Sequence, residues 1–317
     1  MRKRFGFPCL MVAGLLGLAV STASAQQRVL TPIKFADNVY GITGPNGAMN
    51  TGVVVGDRGV FVYSCQLAEF DERMAAIRSV AGGKPVRFVA NGHYAWDDSG
   101  CNHMLAEQGA TVLGNPEFAR QMRPYFAGQI ARELRAGRVK KEYLEGKSVD
   151  LALPTVLFTD KLTLDLGSTT VELIFMGRAH TADNTVAWLP KEKVLFTNDL
   201  LFVELHPVAD DRSDIGNWQR ILKTLAGWGP ATTMPGHGVF AQGNGAKPLL
   251  DLERYFEVLR GKVRALKEAG KTLKEVDETI LANFTEYAAW GRGGRLTPPE
   301  SIRGAAKLIY AELPAGR

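Results

Sequence analysis

The sequence predicts an α/β protein in which two β-sheets pack face to face between outer helices. Two observations carry that reading. Strand-like and helix-like segments alternate from Gln26 to about residue 246 in two successive rounds, each rich in strands and closed by helices. Elements that are apolar on one face must bury it, and two such rounds bury theirs most simply as stacked layers. From about Lys247 the pattern becomes purely helical, which predicts a C-terminal helical extension.

Each element follows from local spacing. GVVVGDRGVFVYS, residues 52–64, reads as two strands reversing at Gly56-Asp57-Arg58-Gly59, a hairpin signal. Phe70, Met74 and Ile77 follow at helical spacing; Lys84-Pro85 then ends the helix and VRFVA begins a strand. Phe118, Met122, Phe126 and Ile130 recur every fourth residue and predict an amphipathic helix, with a solvated basic end reaching Lys141. The second round opens with LTLDLGSTTVELIFMG, whose alternation spans two strands. TVAWLP and KVLFTNDLLF add two more, turning at Pro190-Lys191. Ile215, Trp218, Ile221, Leu222 and Leu225 make a helix, and ATTMPGHG supplies a last short strand and loop. In the extension, Leu252, Phe256, Leu259, Val263 and Leu266 form a core-facing stripe. Shorter helices over 276–284 and 301–313 follow, joined by the loop GRGGRLTPPE, and the expected role of this tail is packing cover without chemistry.

The N-terminus reads as an export signal. Arg2, Lys3 and Arg4 precede the apolar run LMVAGLLGLAV, and Ala23-Ser24-Ala25 offers small residues for cleavage after Ala25. An uncleaved anchor is the alternative, although a membrane span takes about 20 apolar residues. No other apolar run is long and uncharged enough to cross a bilayer. The expected organisation is a signal peptide over 1–25, a main domain over 26–246 and the extension over 247–317, in a periplasmic protein if the source is Gram-negative. Loss of three basic residues with the signal takes the net charge from +5 to +2, and no clustered basic face points to nucleic acid. At 45% hydrophobic and 22% charged, the composition is that of an ordinary globular protein, and charge names no partner. Cys9 leaves with the signal, so the mature chain holds Cys65 and Cys101, two thiols in an oxidising compartment at no zinc-ribbon spacing.

Chemistry concentrates at strand ends. Of five mature histidines, His93 follows a strand within NGHYAWDDSG, His180 follows LIFMG within GRAHTADNT, and His237 follows a short strand within PGHG. Asp199 ends KVLFTND in the same way. Imidazoles and a carboxylate at neighbouring strand ends can converge on one sheet edge, and zinc accepts both donors. His103 belongs to the helix after the first loop and reads as structural, whereas His206, just beyond Asp199, is a candidate for an extra imidazole.

These four motifs, in this order, resemble the metallo-β-lactamase superfamily over roughly residues 30–245. Its hallmark is a loop H-x-H-x-D-H, then G-H-T-x-G, then a bridging acid or cysteine, then P-G-H-G. Within the superfamily the chain is most similar to exported hydrolases called quinoprotein relay metallohydrolases. The resemblance implies a four-layer αβ/βα sandwich with metals at one edge. It also implies ligands: His93 and His180 for a first metal, Asp97, Asp98 and His237 for a second, and Asp199 bridging. The pattern departs at Ala95, where the first metal would have a third histidine, at Asp98, which replaces a histidine, and at Ser64, which replaces an aspartate. The expected centre is therefore atypical and mononuclear, worked from the second position by zinc, with manganese or iron as alternatives for a carboxylate-rich donor set. The resemblance implies a small-molecule substrate as partner, and the implied reaction is hydrolysis of a cyclic amide, ester or thioester, a β-lactam among them, by metal-bound hydroxide, with Asp97 orienting the water and passing on its proton. The rival expectation is a catalytically inactive relative serving as a periplasmic binding module. The resemblance also places Cys65 and Cys101 beside the metal edge and implies a disulfide between them, two buried thiols being the alternative.

Overall fold

The computed structural model describes residues 29–44, 49–137 and 139–314; the expected signal peptide lies outside them. The first round runs β1 (Ile33–Ala36), β2 (Val39–Ile42), β3 (Thr51–Gly56), β4 (Gly59–Tyr63), α1 (Phe70–Ala81), β5 (Val86–Ala90), α2 (Trp96–Ser99), α3 (Asn102–Glu107), β6 (Thr111–Gly114), α4 (Pro116–Ala136), α5 (Val149–Ala152) and β7 (Val156–Leu157). These seven strands form one sheet in sequence order, antiparallel as far as β4 and parallel from there to β7. The change of sense follows from the connections, since a two-residue turn returns a strand antiparallel whereas a crossover such as α1 is needed for a parallel neighbour.

The second round runs β8 (Lys161–Asp165), β9 (Thr170–Gly177), β10 (Asn184–Leu189), β11 (Val194–Phe202), β12 (Leu205–His206), α6 (Ile215–Gly227), β13 (Thr232–His237) and β14 (Ala241–Gln242). Its main sheet has the order β14-β13-β11-β10-β9-β8, with β11 and β13 parallel across α6. The extension supplies α7 (Ala246–Glu268), α8 (Leu273–Asn283), β15 (Gly291–Arg292) and α9 (Pro298–Glu312).

Alternation along the strands makes four layers. Val54, Phe61 and Tyr63 face Leu173, Leu189 and Phe196 between the sheets. Their neighbours Val53, Val55, Val60 and Val62 face outward onto Phe70, Ile77, Phe118 and Met122 of α1 and α4. Leu195 and Val186 face outward on the other side, onto Trp218 and Leu222 of α6 and Leu252, Phe256 and Leu259 of α7. This is the α/β sandwich expected from the sequence, and no described helix is long and apolar enough to cross a membrane.

The loop 291–300 departs from expectation. Gly291 and Arg292 pair in parallel with Leu205 and His206, so the extension is stitched to the segment that follows Asp199. Gly293 permits the approach, because a Cβ there would lie 2.2 Å from the His206 carbonyl oxygen.

The Cys65–Cys101 disulfide is formed, with Cα atoms 5.3 Å apart. It ties the end of β4 to the start of α3, and the amide of Cys65 donates to the Asp98 carbonyl at 2.7 Å. The loop carrying His93, Asp97 and Asp98 is thus anchored at its far end. Cross-linking residues 36 apart restricts the unfolded chain by about 3–4 kcal/mol on the loop-entropy account. Cys65→Ser with Cys101→Ser should therefore lower the melting temperature by roughly 10 °C, as measured by calorimetry. An unchanged transition would show that the bridge carries no stability.

Candidate metal centre

Strand geometry aims each side chain. His93 stands just beyond β5 and Asp97 on α2, while His180 stands beyond β9, Asp199 within β11 and His237 at the end of β13. All five converge at one edge of the sandwich, lining a cleft of ≈ 680 Å³. They fall into two sets of donors, each within 4.8 Å of one another: His93, His180 and Asp199, and Asp97, Asp199 and His237. Asp199 belongs to both. Its Oδ2 lies 3.9 Å from His93 Nε2 and 3.6 Å from His180 Nε2, and its Oδ1 lies 3.6 Å from His237 Nε2. Asp97 Oδ2 closes the second set at 3.5 Å from His237 Nε2.

The far side of each ring determines which nitrogen is free to bind. His180 Nδ1 lies 2.9 Å from the Val208 carbonyl, which can only accept, so Nδ1 carries the proton and Nε2 presents its lone pair. His93 Nδ1 lies 3.1 Å from Asp98 Oδ2, which also accepts the His93 backbone N–H at 2.5 Å. Lone pairs aimed at a carboxylate repel it unless a cation lies between them. Asp199 Oδ1 is buried with no hydrogen-bond partner among the described residues, an arrangement that an ion would satisfy. Imidazole and carboxylate in this proportion suit zinc, and the residues present fit a divalent ion in each set.

The charges fit the same account. Burial opposes charge on His93, yet the hydrogen bond its ring donates to Asp98 and the charges of Asp199, Asp98 and Asp97 carry its pKa up to about 10. Burial, followed by the charge of His93, pushes His180 well below its ordinary value. Burial raises Asp199 to about 6 against the pull of His237 and His93. Asp97 resists burial through its hydrogen bond to His237 and stays below the usual carboxylate range. The carboxylates around His93 thus favour positive charge at this edge of the sandwich.

Asp98 is placed differently from the expectation. It stands in neither donor set; its carboxylate turns back onto His93 and fixes that ring. The physical reason is the short helix α2, whose turn begins at Ala95 and points Asp97 and Asp98 in different directions. Asp98→Asn should weaken metal binding at the first set by roughly 10–100-fold, the usual cost of losing such a partner, and leave the second set untouched. Chelator competition measures this, and unchanged affinity at both sets would remove the role. His206 also stands apart, with Nδ1 3.1 Å from the Tyr255 hydroxyl and its ring against Trp290. His103 Nε2 bonds the Tyr143 carbonyl at 2.7 Å, a structural role.

Asn198 and Asn50, which the sequence did not mark, support the centre together with Ser64. Asn198 has a left-handed φ of 53°, and its side chain accepts the Asp199 N–H at 2.5 Å and donates to Ser64 Oγ at 2.9 Å. Ser64, itself at φ 61°, thus meets Asn198 through its hydroxyl. Left-handed residues facing each other across β4 and β11 beside a site are held by the surrounding structure. Asn50 fixes the other side, donating from Nδ2 to Pro235 O at 2.9 Å and Gly238 O at 3.1 Å.

A family model described as the metallo-beta-lactamase superfamily matches residues 45–237. Among curated proteins, a "Metallo-beta-lactamase type 2" from Bacteroides fragilis is 29% identical over 110 residues, covering 31% of this chain and 43% of that protein. The match therefore spans less than half the length of that relative. Among solved structures, a metallo-beta-lactamase from Pontibacter korlensis is 20% identical with a TM-score of 0.54, covering 71% of this chain and 99% of its own. The stereoselective inverting sec-alkylsulfatase Pisa1 from Pseudomonas sp. is 15% identical with a TM-score of 0.64, covering 89% of this chain and 50% of its own. At these identities the structural likenesses show a shared fold.

Proposed function

The chain belongs to the metallo-β-lactamase superfamily, and from that premise we propose that it is an exported hydrolase using two divalent metal ions, zinc foremost, on an amide, ester or thioester. The observation that carries this reading is the pair of donor sets sharing buried Asp199 at the floor of an open cleft. The sequence favoured a single ion because Ala95 deprives the first position of an imidazole. Asp199 reaches both sets and supplies the third donor there, which supports a pair.

When bound, such ions supply Lewis acidity, polarising an acyl carbonyl and lowering the pKa of water to about 7. The protein's own residues do the rest. His93 is held by Asp98 and His180 by Val208, so neither ring must reorganise during reaction. Asp97 is half-exposed towards the cleft and ionised, placed to accept a hydrogen bond from the attacking water and fix its orientation. Trp96 and Tyr125 give the cleft an apolar wall on which the substrate can displace water. Export is supported by the N-terminal signal pattern and by a disulfide, a bond that persists in oxidising compartments such as the periplasm.

The relatives' names disagree on substrate, one describing β-lactamases and another an alkylsulfatase, so chemistry must be read by assay. Zinc-loaded protein should hydrolyse at least one of a β-lactam, a lactone and an aryl thioester, with activity lost on chelation and restored by zinc. Loaded protein that turns over none of the three would favour the binding-module reading.

A further inference from the structure

Arginines from three separated parts of the chain line the same cleft as the donor sets: Arg132 of α4, Arg212 of the segment before α6, and Arg295 of the extension. Two of them are built into one assembly. Arg212 donates from Nε to Asp210 Oδ1 at 2.8 Å, from Nη2 to Asp210 Oδ2 at 2.6 Å and from Nη1 to the Tyr94 hydroxyl at 2.8 Å. Arg295 Nη2 donates to the same Asp210 Oδ2. One carboxylate thus aligns two guanidiniums and leaves the trio with a net positive charge. Each guanidinium has five N–H donors in a rigid fork, so both retain donors beyond those given to Asp210 and Tyr94. Arg212 is mostly covered, at 35% side-chain exposure, which strengthens charge-assisted bonds to a bound anion relative to a solvent-facing arginine.

We infer that Arg212 and Arg295, aligned by Asp210, form an anion clamp at the cleft that selects substrates carrying an oxyanion, carboxylate or sulfate, beside an apolar portion resting on Trp96 and Tyr125. Arg295 lies outside residues 45–237, the part matched by the family model. The helical extension therefore writes substrate selectivity rather than serving only as cover. The β12–β15 pairing and the close approach of Gly293 to His206 are what hold Arg295 in place. This inference rests on the hydrolase reading for its meaning, but its test needs no turnover.

The test is calorimetric binding of 3-phenylpropanoate, phenyl sulfate and neutral 3-phenylpropanamide to the zinc-loaded protein. At least one anion should bind about tenfold or more tightly than the amide, equivalent to about 1.4 kcal/mol, and the stronger of the two identifies the preferred oxyanion. Arg295→Gln and Arg212→Gln should each weaken that anion by about tenfold and leave the amide unchanged. Arg295 is an exposed side chain, so its variant tests the clamp even if Arg212→Gln fails to fold. Anion binding equal in wild type and Arg295→Gln, or binding abolished by chelation yet indifferent to both arginines, would overturn the clamp and place the anion on the metals. A clamp that binds as described in a protein that hydrolyses nothing would refute the hydrolase reading while leaving the clamp standing.

Discussion

Asp199→Asn is expected to cost the protein both metal ions and all metal-dependent hydrolysis while the fold survives. Asp199 is the one side chain common to the two donor sets, so its loss cannot be confined to either. The effect should exceed the roughly 10–100-fold that follows loss of an outer partner. Asparagine matches aspartate in size and removes a carboxylate whose ionisation burial opposes, up to a pKa of about 6. The metal-free variant should therefore fold as the metal-free parent does. Because burial raises this pKa above its unfolded value, ionised Asp199 costs the metal-free parent stability as pH rises through the range up to about 6, and the asparagine variant should lack that component. Circular dichroism and metal analysis on the same sample check both halves. Retention of one ion at full occupancy would mean that Asp199 serves a single set.

Gly236→Ala should be nearly as damaging, although it adds one methyl group. A Cβ on Gly236 would lie 2.1 Å from Asp199 Oδ1, 2.7 Å from the Asn198 carbonyl carbon and 2.8 Å from the Asp199 amide nitrogen. Two of these are backbone atoms of β11, so relief requires β11 and β13 to separate. Overpacking of this kind costs about 1–3 kcal/mol in a well-packed core, and the displaced carboxylate should lower affinity at both sets. Gly92→Ala meets the same strand from the other side, 2.1 Å from Asn198 Cβ. By contrast, alanine at Gly128 of α4 meets nothing within 4 Å and should leave metal binding unchanged, serving as the control. Thermal melts and zinc titrations of the three variants give the comparison, and normal zinc affinity in Gly236→Ala would show that the close packing against Asp199 is dispensable.

Much of this was legible before any coordinates, because periodicity carries layer membership. Val53, Val55, Val60 and Val62 against Val54, Phe61 and Tyr63 sort onto opposite faces of one sheet by alternation alone. His93, His180, Asp199 and His237 could be found because each follows a strand, and strand ends meet at a sheet edge. The role of Asp98 could not be read, since adjacent residues on a one-turn helix point apart and the sequence does not say which faces the site. The left-handed turns at Ser64 and Asn198 were hidden too, because they depend on tertiary contact between β4 and β11 rather than on local preference. Arg295 was the largest omission. It sits in a glycine-rich stretch that reads as a plain loop, and only the pairing of Gly291-Arg292 with Leu205-His206 brings it to the cleft.

The central claim is that two donor sets sharing Asp199 hold two ions despite Ala95. Elemental analysis of protein loaded with zinc and then desalted tests it most directly. The account predicts two zinc ions per chain in the parent, one in His93→Ala and one in His237→Ala, because each of these histidines belongs to a single set. A parent that retains one ion or none, or a His237→Ala variant that loses all its zinc while His93→Ala loses none, would contradict it.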